Sequence, residues 1–201
     1  MTRPRRYGDA GQAFPIYITV VGGLLFLAFA YLAVGQAAAN RNGAQTAADA
    51  AALAAAQDRR DQLADMWAQN LLDPTKWQDI FDGEAGGLGP SCWRADQLAA
   101  QNDATVLCAP DGPLGYTVEA TASKPVGDSI VPGTENKYAK ESATAVIEPR
   151  CTFDLPAGEI EAGDDTLPLL TCEDREWELD PKGPKELLPK PEDLFDVHLA
   201  D

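Results

Sequence analysis

AFPIYITVVGGLLFLAFAYLAV, residues 13–34, contains no charged side chain. A helix of these 22 residues, rising about 1.5 Å per residue, is roughly 33 Å long and matches a bilayer's hydrocarbon core. Tyr17 and Tyr31 lie toward its two ends, where aromatic rings favour the headgroup boundary. Pro15 falls in the first turn, where a missing N–H costs little. Gly22-Gly23 is ordinary in a membrane helix, where glycine permits close helix approach. No ionisable group lies inside the run, so no side chain is available there for transport or proton relay.

The flanks set an orientation. Residues 1–12 carry Arg3, Arg5 and Arg6 against Asp9, a local balance of +2 in a chain whose net charge is -16, which leaves -18 beyond. Positive charge before the span places the N-terminus in the cytoplasm and the body on the exported side. The acidic remainder lacks the clustered Lys and Arg that phosphate binding requires, so nucleic acid is not an expected partner. Ala37-Ala38-Ala39 also offers a small-x-small cleavage site. A cleaved, secreted product is therefore the rival reading, but the run exceeds the usual secretory h-region and a retained anchor is expected.

The helix is expected to continue past the membrane. From Gln36 to Leu72 there is no proline and Gly43 is the only glycine; 12 of the 20 residues from Ala37 to Ala56 are alanine, the strongest helix former. Small residues recur at heptad spacing at Ala30, Ala33, Ala37, Asn40, Ala44, Ala47, Ala51 and Ala54. Such a stripe is a candidate helix-packing face. Alanine is so abundant that a plain helical spacer fits equally well, and both readings stand. Leu63, Met66, Trp67, Ala68 and Leu71 form a more conventional apolar face, with Arg59, Arg60, Asp61 and Asp65 opposite. Asp73-Pro74 ends the helix and can cap a short one through Trp77, Ile80 and Phe81. Trp67, Trp77 and Phe81 read as packing surface.

After a glycine-rich break at residues 83–90, Ser91 is placed to N-cap a helix from Cys92 to Gln101, closed by Asn102-Asp103. Strand-like runs follow at Thr105–Cys108, Tyr116–Thr121 and Ser142–Glu148, with a loop between the last two that holds Pro125, Gly127, Pro132 and Gly133. The four cysteines, Cys92, Cys108, Cys151 and Cys172, all lie on the expected exported side. They point to two disulfides, with sequence neighbours the preferred pairing among three connectivities. Zinc is the alternative, but there is no C-x-x-C and the single histidine is His198.

From residue 151 onward 15 acidic residues face four basic ones. Leu167–Cys172 and Phe195–Leu199 read as isolated edge strands in an otherwise extended arm. The cluster Glu159, Glu161, Asp164 and Asp165 lacks EF-hand spacing and reads as solvated acidic surface. The expected organisation is a basic stub at 1–12, a transmembrane helix at 13–34 and an Ala-rich stalk helix at 35–72. A small α+β head at 73–150 and an acidic, Pro-rich region at 151–201 follow. The fold class is α+β. No nucleophile motif, zinc motif or phosphate loop is present, so neither an enzyme nor a cofactor nor a small-molecule substrate is expected.

Gly11-Gln12 ahead of the apolar run and Asn42-Gly43-Ala44-Gln45-Thr46-Ala47-Ala48-Asp49-Ala50-Ala51-Ala52-Leu53-Ala54 after it carry a resemblance. The block from Gly11 to Gln57 resembles the N-terminal region of TadE/TadG-like proteins of Tad (Flp-type) pilus assembly, and the Ala, Gly and Arg usage resembles actinobacterial versions. The resemblance implies a pseudopilin-like or minor-pilin-like subunit that meets the membrane and other pilus-assembly subunits through its N-terminal helix. Processed prepilins carry a glutamate five residues after the cleaved glycine; here that position is Ala13 after Gly8 and Ile16 after Gly11. The competing function is an anchored or secreted extracellular binding module, delivered by a signal or anchor that does nothing else.

Overall fold

A computed structural model describes residues 13–125, 136–155, 167–173, 175–180, 182–184 and 187–200. The basic stub with Arg3, Arg5 and Arg6, the loop positions Gly127, Pro132 and Gly133, and the acidic cluster Glu159, Glu161, Asp164 and Asp165 lie outside the described residues.

One helix, α1 (Ala13–Gln69), takes in both the apolar run and the alanine-rich segment without interruption. Its 57 residues extend about 85 Å. The helix stops three residues before the expected Leu72. Asn70 accounts for the difference: its amide side chain donates to the Met66 carbonyl at 2.8 Å, and its own carbonyl accepts the Trp77 indole N–H at 3.0 Å. A single 3-10 turn (Pro74–Lys76) and the short α2 (Trp77–Phe81) follow. At Gly83 the backbone takes φ +73°, and a Cβ there would lie 2.7 Å from Leu114, so both conformation and space call for glycine.

The third helix, α3 (Cys92–Gln101), forms over the expected residues, but Ser91 does not cap it with its side chain. Ser91 is buried and accepts instead from the Gln62 amide at 3.1 Å. Gln62 also accepts the Gly89 N–H at 2.7 Å. One glutamine on α1 thus ties down the loop that leads into α3.

Two antiparallel sheets complete the α+β fold. The larger is ordered β1-β2-β3-β7, from β1 (Ala104–Pro110), β2 (Gly115–Ala122), β3 (Lys140–Pro149) and β7 (Phe195–Leu199). The smaller is ordered β4-β5-β6, from β4 (Cys151–Phe153), β5 (Leu170–Cys172) and β6 (Arg175–Trp177). The two C-terminal strands are not isolated, which corrects that expectation. β7 pairs with β3 from Ala145↔Leu199 to Pro149↔Phe195, and α4 (Pro191–Leu194) buries Leu194 beside it.

Alternation along β2 and β3 turns Tyr116, Val118, Ala120, Ala145 and Ile147 toward α1, and all five are buried. Opposite them α1 presents Ala47, Ala48, Ala51, Ala52, Ala55 and Ala56 at three- and four-residue spacing, with Ala95 and Ala99 of α3 alongside. Alanine all along this face of the helix lets it lie close against the sheet. Each buried methyl adds on the order of 0.8 kcal/mol, so size is supplied elsewhere. That part of the core is aromatic: Trp67 and Trp77 meet at 5.4 Å between ring centroids, Trp77 and Phe153 at 5.3 Å, and Phe81 and Phe195 at 5.2 Å.

Candidate functional site

The surface that asks for a partner is the first half of α1. From Ile16 to Val34 its large apolar side chains are 53% to 83% exposed. None of this stretch is buried, and the helix is long and apolar enough to cross a membrane. After Asp9 the next charged residue is Arg41. The Thr19 hydroxyl donates to the Ile16 carbonyl at 2.9 Å, so it is satisfied within the helix and can face lipid.

The alanine positions divide between two environments. Ala44, Ala47, Ala51 and Ala54 are buried, and what covers that stretch of helix is the chain's own head, chiefly β2, β3 and α3. For these four the packing partner in this chain is its own head. Ala30 and Ala33 are only half-buried and Ala37 is exposed, and none of the three belongs to the head's core.

Two arginines of α1 reach side chains on the sheet. Arg41 Nε donates to Glu141 Oε1 at 2.5 Å. Arg59 Nε donates to the Tyr116 hydroxyl at 3.0 Å, with the guanidinium 5.9 Å from the ring centroid. Neither arginine is distinguishable from a solvated charge by spacing alone.

Two disulfides pin the head. Cys92–Cys108 joins α3 to β1 with a Cα separation of 5.6 Å, and Cys151–Cys172 joins β4 to β5 at 3.9 Å, directly across their register. Both are the sequence-neighbour pairs. Beside the second bridge, the Arg150 guanidinium hydrogen-bonds Glu173 and holds that carboxyl below its ordinary value, while Arg150 itself is raised. Asp73 is likewise lowered, first by the Thr75 hydroxyl at 2.5 Å and then by Lys76 at 3.1 Å. His198, exposed on β7, meets Asp196 at 3.1 Å. Among the described residues no cluster of His, Cys, Asp or Glu is arranged to hold a metal.

The geometry is an exposed apolar helix continuous with a head held by two disulfides. Residues 11–58 match the family model of TadE/G-like Flp pilus-assembly proteins. The match covers 48 of the chain's 201 residues, so the likeness is to that segment, and proteins of the Tad family are structural rather than enzymatic. No curated protein and no solved structure matches the chain.

Proposed function

We propose that this chain is a membrane-anchored, non-catalytic subunit of a Tad/Flp-type pilus or secretion apparatus. Its N-terminus is cytoplasmic, its head lies on the exported side, and it works by packing its span against the helices of other subunits. The observation that carries the reading is a coincidence of boundaries. The matched segment, residues 11–58, comprises the exposed apolar half of α1 and the alanine segment on which the head is built. Partner contact falls to the part of the helix the head leaves open, including Ala30, Ala33 and Ala37. The head buries Ala44, Ala47, Ala51 and Ala54 for itself.

The second reading, an anchored binding module, has one observation in its favour. Among the described residues, no hydrophobic side chain before Ala44 is buried, so the head's core does not depend on the span. Replacing Met1–Val34 with an unrelated signal anchor separates the two. The pilus reading predicts loss of pilus assembly or secretion with a folded, exported head. Full function with the foreign anchor would instead favour the binding module.

A further inference from the structure

The end of the head nearest the span differs in charge from the rest of the chain. Arg41 is seven residues past Val34, about 10 Å along the helix axis. A headgroup layer of about 5–8 Å borders each face of the hydrocarbon core, so the arginine's side chain falls within reach of it. The same end of the sheet carries Lys140, the first residue of β3. It also carries Lys124, just past the end of β2, bonded to Asp103 at 3.1 Å. Lys137 and Tyr138 precede Ala139, whose carbonyl accepts the Ala122 N–H at 2.9 Å, so they extend the same rim. Tyr138 is half exposed.

Among the described residues of this rim, four cations, Arg41, Lys124, Lys137 and Lys140, stand with three carboxylates, Asp103, Glu119 and Glu141, in a chain whose net charge is -16. The rim is close to balanced where the whole is strongly acidic. Its cations also reach outward: the side chains of Arg41, Lys124 and Lys140 are 75%, 74% and 63% exposed, whereas Glu141 and Glu119 are 18% and 48% exposed. Of the three carboxylates only Asp103, at 73%, is as open as the cations. Such exposed ion pairs contribute little and exchange readily for another anion. A cleft of about 200 Å³ opens between helix and sheet at this level, floored by Ala39, Gly43 and Ala44 and mouthed by Lys124.

We propose that this rim seats on the phospholipid headgroups of the leaflet from which the span emerges. Arg41, Lys124 and Lys140 meet lipid phosphates, and Tyr138 enters the interface. The contact is continuous with the membrane span and rests on that reading of residues 13–34. It gives the head a preferred face toward the bilayer, because the chain's net negative charge lies beyond this rim and an anionic surface repels it.

The test uses the full chain in nanodiscs of phosphatidylcholine, with and without phosphatidylglycerol, and p-benzoylphenylalanine in place of Tyr138. The control carries the same photoprobe in place of Trp93, on α3. Lipid adducts are expected several-fold more often at position 138 than at 93, and more often with phosphatidylglycerol. Arg41→Glu, Lys124→Glu and Lys140→Glu together should remove the excess, with the disulfides intact. The milder Lys124→Gln and Lys140→Gln pair should lower it partly. Equal yields at both positions, or yields indifferent to the substitutions, would overturn the proposal while leaving the span in place. A chain that does not co-float with lipid would overturn the membrane reading as well.

Discussion

Arg59 on α1 donates its Nε–H to the Tyr116 hydroxyl at 3.0 Å, and this bond ties the alanine-rich helix to the start of β2, an inner strand of the sheet. The ring is buried and the guanidinium lies over it. Tyr116→Phe keeps the packing but leaves a partly covered arginine without its acceptor. The expected cost is about 1 kcal/mol, a fall in melting temperature of roughly 2–5 °C, read by thermal unfolding of the solubilised chain.

The division of the alanine stripe predicts opposite outcomes for the same substitution. Ala51 has no exposed surface, so Ala51→Leu forces a branched side chain between α1 and the sheet and should destabilise the head by about 1–3 kcal/mol. Ala37→Leu, on the exposed part of α1, should change head stability by less than about 0.5 kcal/mol. Chemical denaturation of both variants checks the pair, and equal destabilisation would contradict the assignment.

The disulfides enclose sequence separations of 16 and 21 residues, loops for which a bridge contributes about 3 kcal/mol on chain-entropy grounds. Replacing Cys151 and Cys172 together by serine should lower head stability by that order. Non-reducing peptide mapping should recover Cys92–Cys108 and Cys151–Cys172 linked peptides and no free thiols.

Two carboxyls give the head a defined acid response. Glu173 is held below its ordinary value by the Arg150 hydrogen bond, and Asp73 by those of Thr75 and Lys76. A carboxyl lowered in the folded state binds its proton less readily there than in the unfolded chain. Its stabilisation is therefore complete above the ordinary carboxylate pKa, about 4, and is lost as pH falls through the lower folded value. Both groups face solvent, so each effect is small. Unfolding curves from neutral pH downward should show a shallower acid loss for Glu173→Gln than for the parent, with slightly lower stability at neutral pH.

Features written in local sequence were legible. The charge-free run, the alanine segment, α3 and the β1–β3 strands each announce themselves within a few residues. Short-range pairing of the cysteines belongs with them. What spacing did not show depends on partners distant in sequence. The five residues Phe195–Leu199 have weak alternation and look like a loose edge until β3, nearly fifty residues earlier, supplies the ladder. The alanine face matched any heptad template, so its true neighbours, the small residues of β2, β3 and α3, left no mark on it. Ser91 sits where a cap belongs, but the hydroxyl is taken by Gln62, 29 residues earlier in the chain. The rim at the start of β3 is likewise invisible in sequence, because Arg41, Lys124 and Lys140 reach the same end of the sheet only through the fold.

The central claim is that α1 remains whole, with its first half held in a bilayer and its second half forming the floor of the head. Alkaline extraction of membranes combined with mass determination of the mature N-terminal peptide tests this most directly. The account predicts a chain retained in the membrane pellet, with an N-terminal peptide that begins before Ala13. A soluble exported product beginning after Ala37-Ala38-Ala39 would contradict it.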